Sequence, residues 1–467
     1  MLKKNDELIA IVNSIGNNCE GIIKGEDYTI FVPFCLPEEK VKIKVLKVDK
    51  KIAYAKLLEV IVPSPYRVNC ECPVYTKCGG CQLQHSNYKN QLEIKKQTII
   101  DAFSKIAFMK ITPNSIVCSN NTFRYRNKLQ VPVAQVDNKI LIGFYAENSH
   151  RVVPITDCLI NPEWTSSLIT ALKDFMVDYS LKGYDSTKNI GDIREITARE
   201  INGNIIITLV TIKDNLPQIY KFVDYLKKNI SNNFSLFQNV NSSSTNVIYG
   251  DKFKLIYGVG TYESNMLTIN HKMGVRSFMQ VNSEVCEKLY CAVKNSIDFS
   301  KYTNIIDAYS GAGLMTALLA VQAEKVYGIE IIPEAVDLAN QLAKDNGLDN
   351  KITNLLGKCE DLLPPLVEKE SKNGNFCVVL DPPRKGCDIK VLKALLISNV
   401  SRIVYISCKP QTLARDVGIL CGFLQEVDGK IVKSNGQNGV YEVESITPFD
   451  MFPQTKHIET LVVLNKK

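Results

Sequence analysis

From about residue 275 onward, short apolar runs alternate with segments whose apolar residues recur at helical spacing. Each run has the length of a buried strand and precedes a turn or a helix; the runs cover residues 305–308, 326–329, 377–380 and 403–406. Such alternation is typical of parallel strands joined by crossover helices. The sequence therefore predicts a doubly wound, Rossmann-like α/β domain over residues 275–467, whose ligands bind beyond the carboxyl ends of the strands.

A chain of 467 residues is longer than one hydrophobic core usually serves, so two or three domains are expected. Apolar residues make up 45% of the chain and charged residues 22%, which excludes a disordered or fibrous protein. The formal net charge of +7 is compatible with an anionic partner but does not require one.

Hydropathy and cysteine usage indicate the compartment. No run approaches the roughly eighteen apolar residues of a membrane span, and no signal-peptide pattern follows Met1. The 15 cysteines are odd in number and dispersed along the chain, unlike a secreted disulfide framework. We therefore expect a cytoplasmic protein without a membrane segment, in which most cysteines are buried as small hydrophobic residues.

Residues 1–62 have the pattern of a small, OB-like β-barrel. The stretch 41–45, Val-Lys-Ile-Lys-Val, alternates apolar and basic side chains, which gives one buried and one lysine-rich face. A small barrel with a basic face is typical of RNA binding. The alternative is a solvated lysine face on a half-buried hairpin, which composition alone favours. Residues 63–66 contain two prolines and are typical of a linker.

Residues 67–274 are predicted to form a β-rich central domain with a helix over 88–106, which we expect to pack on the C-terminal domain. Within this domain, residues 123–128 (Phe-Arg-Tyr-Arg-Asn-Lys) interleave cations with aromatic rings. That pattern suits phosphate contact and base stacking, with Arg124 and Arg126 on RNA. An amphipathic strand with both aromatic rings directed inward explains it equally well.

The first strand of the α/β domain runs into Asp307-Ala-Tyr-Ser-Gly-Ala-Gly313. Gly311 and Gly313 permit the backbone to approach a bound ligand closely. A dinucleotide fingerprint has a third glycine where Thr316 stands. Glu330 ends the next strand, where its carboxylate is placed to accept hydrogen bonds from ribose hydroxyls. Together these features favour S-adenosylmethionine over NAD.

The third strand is followed by Asp381-Pro-Pro-Arg384. Methyltransferases that act on exocyclic amines commonly have an aromatic residue after the two prolines, where it stacks on the target base. Arg384 in that place argues against amine methylation. The alternative is a rigid loop whose aspartate caps a helix, but its place at a strand end of this sheet favours a functional Asp381.

The fourth strand is followed by Cys408, and nearby Lys409 and a helix start would both favour the thiolate. Carbon 5 of uracil is a poor nucleophile. A thiolate that adds to carbon 6 places electron density on carbon 5, which can then accept a methyl group. A general base must afterwards remove the carbon 5 proton so that the thiolate can leave. His457 and Glu459 are both candidates for this base, and a surface salt bridge is the alternative.

In their order, these motifs resemble those of the RNA (uracil-C5)-methyltransferases, most closely the bacterial ribosomal-RNA branch, and the resemblance covers nearly the whole chain. Lys409 stands where many relatives have asparagine, which leaves the role of the cysteine intact but alters its surroundings. The matching stretches are Cys72-Pro, Cys78-Gly-Gly-Cys81, Phe278-Met-Gln-Val-Asn282, Asp307-Ala-Tyr-Ser-Gly311, Asp381-Pro-Pro-Arg-Lys-Gly386, Ser407-Cys-Lys-Pro410, Ala414-Arg-Asp416 and His457-Ile-Glu459.

The resemblance implies a role for each of these residues. Cys408 would be the nucleophile and Glu459 the proton acceptor, and Arg384 would join Arg124 and Arg126 on RNA. The contacts to S-adenosylmethionine would come from Gln280, Tyr309, Gly311, Gly313, Glu330 and Asp381.

The clustered cysteines also take a role from the resemblance. Cys72, Cys78, Cys81 and Cys158 would hold a four-iron, four-sulfur (4Fe–4S) cluster, with Cys70 left as a spare. Thiolate ligation suits zinc as well as iron–sulfur, so spacing alone does not choose between them. The N-terminal barrel would be a TRAM domain, an RNA-binding module.

The implied activity is methylation of carbon 5 of a uridine in RNA, with large-subunit (23S) ribosomal RNA favoured by the barrel and the cysteine cluster. Relatives that modify transfer RNA share the catalytic domain, so transfer RNA is the alternative substrate. A non-catalytic RNA-binding or ribosome-assembly protein is a rival interpretation, against which the intact Cys408, Asp381 and Glu459 weigh. We expect a monomer with RNA as its partner.

Overall fold

The computed structural model describes residues 2–372, 374–434 and 439–467. Its N-terminal unit is a six-stranded sheet in the order β1-β5-β6-β4-β3-β2. The strands are β1 (Glu7–Ile11), β2 (Ser14–Ile15), β3 (Gly21–Lys24), β4 (Thr29–Val32), β5 (Lys40–Asp49) and β6 (Ile52–Val62). In β5, Val41, Ile43 and Val45 are fully buried, whereas the lysines between them remain partly exposed. The predicted two-faced strand is confirmed, and the assignment as a TRAM domain stays a prediction.

Residues 63–66 connect this sheet to the rest of the chain, as predicted, but they are anchored. The carboxylate of Glu39 is fully buried and accepts a hydrogen bond from the Ser64 main-chain nitrogen at 3.2 Å. The same carboxylate pairs with Arg67, whose guanidinium also reaches the Phe34 carbonyl oxygen at 2.8 Å. The junction is therefore fixed by a charged network.

The helix predicted over 88–106 is confirmed. It consists of α1 (Tyr88–Ala102) and a π-helical turn (Phe103–Ala107), and the Asn87 side chain caps its start by accepting from the Asn90 main-chain nitrogen. Ile99 and Phe103 belong to the hydrophobic core of the C-terminal domain. The helix thus packs where the sequence placed it, although it precedes the central sheet in the chain.

The central unit is a seven-stranded sheet in the order β13-β12-β11-β10-β7-β8-β9, backed by two helices. The pairing is antiparallel except between β11 and β12. Residues 123–127 precede the first strand as a loop, so the alternative interpretation of this stretch as an amphipathic strand does not hold there. The elements are β7 (Lys128–Val136), β8 (Lys139–Tyr145), β9 (Val152–Pro154), α2 (Trp164–Asp178), β10 (Ile193–Ile201), β11 (Asn204–Thr211), a 3₁₀ turn (Ile219–Lys221), α3 (Phe222–Asn229), β12 (Phe234–Val240) and β13 (Lys252–Tyr257).

A hairpin of β14 (Thr261–Met266) and β15 (Ile269–Gly274) follows the central sheet. Ile269 is buried in a core cluster of the C-terminal domain, and Met273 packs with strands of the central sheet. The hairpin packs against both units. The predicted domain boundary at residue 274 would therefore separate it from the C-terminal core, to which it also belongs.

The C-terminal unit is a seven-stranded sheet in the order β18-β17-β16-β19-β20-β24-β23. Its first five strands in that order are parallel, and β24 and β23 run antiparallel at one edge. The elements are α4 (Ser283–Asn295), β16 (Asn304–Ala308), α5 (Leu314–Ala320), β17 (Lys325–Glu330), α6 (Pro333–Asp345), β18 (Ile352–Leu356), α7 (Cys359–Glu370), β19 (Phe376–Leu380), α8 (Ile389–Ile397), β20 (Arg402–Ser407), α9 (Pro410–Leu420), β21 (Leu424–Val427), β22 (Lys430–Lys433), β23 (Tyr441–Phe449) and β24 (Glu459–Lys466).

Separate hydrophobic clusters cover the two faces of this sheet, which confirms the predicted doubly wound arrangement. The antiparallel pair of β23 and β24 was not predicted, because no crossover helix separates the two strands and they carry no crossover signal. That pair returns the end of the chain to the edge of β20. None of the helices in the described parts of the chain is long and apolar enough to cross a membrane.

Candidate active site

The loops that carry the predicted site residues begin at neighbouring strand ends. β19 pairs with β16 on one side, joining Leu380 to Ala308, and with β20 on the other, joining Leu380 to Tyr405. Because parallel strands end at the same edge of a sheet, the loops that begin at Tyr309, Asp381 and Cys408 lie side by side. The structure thus brings together motifs separated by about a hundred residues of sequence.

The glycine turn after β16 is shaped for a ligand. Gly311 and Gly313 adopt positive φ values of 55° and 81°, which only glycine adopts without strain. An added Cβ at Gly313 would lie 2.6 Å from the Ala339 Cβ, whereas one at Gly311 would meet no described atom within 4 Å. Gly313 is therefore required by packing of helix against turn, and the open side of the turn is at Gly311.

Glu330 at the end of β17 holds this turn together. One carboxylate oxygen accepts from the Gly311 main-chain nitrogen at 3.0 Å, and the other accepts from the main-chain nitrogens of Ile331 and Ile332. The side chain stays partly exposed. It lies beside the glycine turn, and the predicted ribose contact stays a prediction.

Thr316 stands where a dinucleotide site has its third glycine. It makes a contact of its own that the sequence did not predict. Its hydroxyl donates to the buried Asp307 carboxylate at 2.6 Å. Burial raises the pKa of Asp307 to about 7, against the effect of this hydrogen bond. The pair fixes the base of the turn, and a serine or threonine three residues after the second glycine would have been the signal for it.

Asp381 follows the end of β19. Part of the residue is accessible to solvent, but burial of its carboxyl raises the pKa of that group to about 7. A nearby cationic ligand would return this carboxyl to its ionised form. S-adenosylmethionine carries a sulfonium and an ammonium group and supplies that charge. The chemistry of the recess therefore fits the cofactor that the sequence favoured.

The other two predicted cofactor residues, Tyr309 and Gln280, are held by different contacts. Tyr309 adopts a φ of 67°, and its hydroxyl lies among the thiols of Cys359 and Cys387. Gln280 lies in the segment before α4, and its carbonyl oxygen accepts from the Asn127 side chain at 2.9 Å. Tyr309 is thus held from behind, and the main chain of Gln280 is fixed against the central unit.

Cys408 and Glu459 lie opposite one another across the end of an antiparallel strand pair. β20 and β24 pair in register up to Ser407 and Thr460. The next residues along the two strands are Cys408 and Glu459. Side chains directly opposite each other in an antiparallel pair have Cβ atoms about 5 Å apart. Glu459 is 5% exposed, and Cys408 is partly buried.

The surroundings of Cys408 correct one expectation. Burial raises the pKa of its thiol, and the carboxyls of Glu459 and Asp381 raise it further, against a hydrogen bond from the Arg384 guanidinium. The predicted preference for thiolate from Lys409 and the helix start is therefore wrong for the chain without ligands. Carboxyls from distant sequence positions outweigh the local signals.

Glu459 is a better base than His457 in this setting. Burial, and then the charge of Asp381, raise the pKa of Glu459 to about 8, while Arg384 lowers it. Burial and Arg384 lower the pKa of His457 to about 4, so its ring is neutral at ordinary pH. A catalytic base works best with a pKa near the operating pH, which favours the glutamate.

The three arginines predicted to contact RNA occupy different environments. Arg384 lies beside Cys408, and Arg126 is close enough to His457 to lower the pKa of that ring. The Arg124 guanidinium instead donates to Asp157 at 2.6 and 2.9 Å and to main-chain oxygens. Arg384 and Arg126 are thus at the site, whereas Arg124 is bound internally.

The loop that carries Arg384 is held by a motif whose role the sequence did not reveal. Arg415 donates to the carbonyl oxygens of Lys385 and Cys387, and the buried Asp416 accepts from the Cys387 main-chain nitrogen at 2.8 Å. A Cβ at Gly386 would lie 2.6 Å from an Asp416 oxygen. Close approach to this carboxylate therefore requires glycine there.

Three of the four predicted cluster cysteines are close enough to the fourth, Cys81, to affect its charge, and one of them, Cys158, is far from it in the sequence. The pKa of the Cys81 thiol is raised to about 12 by burial and further by Cys158, Cys78 and Cys72. Cys70 is exposed and adjoins Cys72. Across the described parts of the chain, no group of three or more histidine, cysteine or acidic side chains is arranged to hold a metal ion.

The sulfur atoms nevertheless receive hydrogen bonds suited to a thiolate ligand. The Gly80 main-chain nitrogen donates to the Cys78 sulfur at 3.4 Å. The main chain at Ile160 and Asn161 lowers the pKa of the Cys158 thiol, against the effect of burial. Donors of this kind surround sulfur atoms in iron–sulfur proteins and tune the cluster. The chemistry of four thiols, one of them with an N–H donor to its sulfur, is compatible with such a group.

The fold and site define an α/β enzyme that combines a nucleotide-cofactor edge with a strand-end cysteine and a buried carboxyl. Residues 87–467 match the family model described as tRNA (uracil-5-)-methyltransferase. The chain belongs to this family of RNA (uracil-C5)-methyltransferases. The family assigned from the motifs is thereby confirmed, and so is the enzyme class.

Individual relatives and a solved structure extend over the N-terminal sheet as well. Proteins of Halalkalibacterium halodurans and Clostridium acetobutylicum, described as uncharacterized RNA methyltransferases, are 36% and 35% identical, and each match covers 100% of this chain and 98% of the relative. The structure of Pyrococcus abyssi tRNA (uracil-54, C5)-methyltransferase in complex with S-adenosyl-L-homocysteine is 26% identical, with a TM-score of 0.75 over 98% of this chain and 99% of that one.

Proposed function

We propose that this protein transfers a methyl group from S-adenosylmethionine to carbon 5 of a uridine in RNA. The proposal depends chiefly on Cys408 and Glu459, which lie opposite one another at the end of β20 and β24, beside the exposed Asp381. This arrangement supplies a nucleophile and a base at the edge where the glycine turn would receive the cofactor. The family match and the S-adenosyl-L-homocysteine in the Pyrococcus abyssi enzyme support the same reaction and cofactor.

The residues at the edge divide the reaction between them. Cys408 adds to carbon 6 of the uracil as a thiolate, and Arg384 stabilises the negative charge on the sulfur before attack. When bound, S-adenosylmethionine supplies the methyl group to carbon 5. Glu459 then accepts the proton from carbon 5, which restores the double bond as the Cys408 sulfur leaves.

The cofactor would be held at the carboxyl ends of β16, β17 and β19. Glu330 and the open face at Gly311 are placed for its ribose, and Asp381 for its positive charge. Tyr309, which directly follows β16, and Gln280 would complete the site. No step of the mechanism needs a metal ion at this site, because the nucleophile and the base are both side chains of the chain itself.

We further propose large-subunit (23S) ribosomal RNA as the substrate, bound by a monomer in the cytoplasm. The lysine-rich face of β5 and residues 70–83, here called the cysteine-bearing segment, support an extended RNA contact beyond the target base. Transfer RNA is the second candidate, because the family description and the Pyrococcus abyssi enzyme both name it. That enzyme matches 98% of this chain, so the domain layout is common to a transfer-RNA enzyme.

Mass spectrometry of ribosomal and transfer RNA from cells lacking this protein separates the candidates. Loss of 5-methyluridine at a 23S position, restored by the wild-type chain but not by Cys408→Ala, is the expected result. Loss confined to transfer RNA would establish the second candidate. Unchanged 5-methyluridine in both RNAs, with no methyl transfer to either unmodified RNA in vitro, would contradict the proposed reaction.

We also propose that Cys72, Cys78, Cys81 and Cys158 hold a 4Fe–4S cluster; the motif resemblance, the electrostatic coupling of Cys81 to the other three thiols and the N–H donor at Cys78 support this. The group would have a structural role, since it lies on the cysteine-bearing segment and the reaction requires no electron transfer. Anaerobically purified protein should then be brown and contain about four irons per chain.

Substitutions at the cysteines test this cluster. Cys78→Ser and Cys81→Ser should each lose the iron and the brown absorbance, measured by metal analysis and spectroscopy. Cys70→Ser is the matched control, because this exposed thiol adjoins the group without belonging to the proposed set. Stoichiometric zinc without iron in anaerobic protein would contradict the assignment.

The lysines of the N-terminal sheet provide a prediction on RNA affinity. Deleting the sheet would expose Leu83 and Ile94, which pack against its Cys19 and Leu36, so substitutions test the charge more cleanly. Replacing three lysines with glutamine should reduce the slope of log affinity against log salt by about two to three, because fewer phosphates are neutralised. The substituted residues are Lys44, Lys51 and Lys56; the control set in the central unit is Lys173, Lys213 and Lys228.

An unchanged slope in the first set would mean that the lysine face is solvated and does not contact phosphate. Binding of S-adenosylmethionine, measured by calorimetry, should be the same in both sets, since its proposed site lies on the C-terminal sheet. The comparison of the two sets thus separates local contact from net charge.

A further inference from the structure

The segment 450–458, here called the brace loop, runs from the end of β23 to Glu459, the first residue of β24. It has no helix or strand of its own, yet much of it is buried: Asp450 is 0%, Gln454 4% and Ile458 1% exposed. A loop without regular structure is usually exposed, because its polar backbone groups need partners. The partners of this loop lie outside the catalytic sheet.

Helix α1 provides the first set of partners. The Lys95 ammonium is fully buried and donates to the Asp450 carboxylate at 2.6 Å and to the Phe452 carbonyl oxygen at 3.0 Å. Tyr88 donates to the second oxygen of Asp450 at 2.8 Å. Both carboxylate oxygens of Asp450 and the carbonyl oxygen of Phe452 are thus bound by one face of a helix that lies more than 300 residues earlier in the chain.

A side-chain amide of the same helix grips the middle of the loop. Gln91 donates from its amide nitrogen to the Gln454 side-chain oxygen at 2.9 Å, and its own oxygen accepts from the Gln454 main-chain nitrogen at 3.1 Å. Gln454 adopts a φ of 71°, which is strained for a residue other than glycine. The paired hydrogen bonds hold this conformation.

The cysteine-bearing segment provides a second, independent set of partners. The Gln454 carbonyl oxygen accepts from the main-chain nitrogens of Gln82 and Leu83 at 3.1 and 3.0 Å, directly after Cys81. The Gln82 side-chain oxygen accepts from the Lys456 main-chain nitrogen at 3.3 Å. The loop is therefore tied to the cysteine-bearing segment on one side and to α1 on the other.

The energetics of these contacts favour a role in geometry. Burying an ion pair costs desolvation that the attraction between the charges barely offsets, so the Lys95–Asp450 pair is a poor source of stability. A buried, fully bonded network instead selects one conformation of the loop. The residue selected by that conformation is Glu459, whose carboxyl must reach the carbon 5 proton to within hydrogen-bonding distance.

We infer that α1 and the cysteine-bearing segment position the catalytic base: Gln91 and Gln82 are positioning residues that hold Glu459 through the brace loop. This inference builds on the proposed function. The cysteine-bearing segment then contributes to catalysis by fixing the position of the base, and it takes no part in the chemical steps. The step that depends on it is removal of the carbon 5 proton, not attack by Cys408, which follows directly from β20.

The test uses Gln91→Ala and Gln82→Ala, because Lys95→Ala would leave the Asp450 charge buried and unpaired and so risks unfolding the chain. Each variant is reacted with a uridine RNA and S-adenosylmethionine in single turnover. Covalent protein–RNA adduct and released 5-methyluridine are measured over time. We expect adduct formation within about threefold of wild type and resolution slowed by about tenfold or more, so that adduct accumulates.

The matched control is Gln97→Ala. Gln97 lies on the same helix, and its amide donates to Asp101 at the surface, away from the brace loop. This variant should form and resolve the adduct within about twofold of wild type. The pH profile of resolution should change in the Gln91 and Gln82 variants and stay the same in the control, since only a displaced base alters that profile.

Two outcomes overturn the inference. In one, resolution in Gln91→Ala and Gln82→Ala equals that of wild type. In the other, adduct formation and resolution fall in parallel, together with cofactor binding, as a general loss of folded structure would produce. Wild-type protein that forms neither adduct nor 5-methyluridine would instead refute the proposed function itself, which is a separate result.

Discussion

Cys408→Ala should abolish methyl transfer while leaving the binding of S-adenosylmethionine intact. Removal of a nucleophile typically costs on the order of 10⁶ in kcat, and no other thiol is placed at the end of β20 to replace it. The cofactor residues lie on β16, β17 and β19, so their geometry does not depend on this side chain. Calorimetry of cofactor binding and single-turnover methylation of RNA measure the two properties separately.

A 5-fluorouridine RNA tests the same residue in the opposite direction. Wild-type protein should form a stable covalent adduct with it, because carbon 5 has no proton for Glu459 to remove, and Cys408→Ala should form none. Cys291→Ala, which removes a half-buried cysteine on α4, is the control and should react like wild type. Sustained turnover in Cys408→Ala would rule out the thiolate mechanism.

The strand ends were predictable because each signal is local. An apolar run followed by Asp381-Pro-Pro or by Cys408 specifies both the end of a strand and the chemistry at its edge. The parallel sheet then brings these positions together without further information. The helix over α1 was predictable for the same reason, since its periodicity lies within one segment.

Features that depend on contacts across the chain were not predictable. The thiolate expected at Cys408 rested on Lys409 and a helix start. Burial raises the pKa of the thiol instead, and Glu459 and Asp381, which lie 51 and 27 residues away in the sequence, raise it further. The hold of α1 on the brace loop is likewise invisible in the sequence, because Gln91 and Gln454 share no pattern. Patterns within one segment of the sequence do not predict contacts between charged and amide side chains that lie far apart in the chain.

The electrostatics of the site indicate how binding prepares it for reaction. Asp381 and Glu459 have pKa values raised to about 7 and about 8, and the thiol of Cys408 is raised as well. All three groups therefore tend toward their neutral forms in the chain without ligands. A cation placed at this edge lowers each of these pKa values. The cofactor's own positive charge would thus help to generate both the thiolate and the catalytic carboxylate.

Glu459→Gln should still add Cys408 to the uracil and transfer the methyl group, but it should resolve the adduct slowly. The amide keeps the shape of the side chain and cannot accept the carbon 5 proton, so we expect resolution to slow by about 10²–10⁴-fold. Covalent protein–RNA complex should accumulate on ordinary uridine RNA and be visible by denaturing electrophoresis. Loss of cofactor binding without adduct would give Glu459 another role and make His457 the candidate base.

The pH dependence of resolution identifies the group that takes the proton. Only the ionised carboxylate can accept it, and the pKa of Glu459 is raised to about 8 in the chain without ligands, chiefly by burial and then by Asp381. Resolution of the adduct in wild type should therefore quicken as pH rises toward that value and level off above it. The slow adduct resolution that remains in Glu459→Gln should not show this rise with pH. If the rise with pH persists unchanged in the variant, another group accepts the proton and Glu459 is not the base.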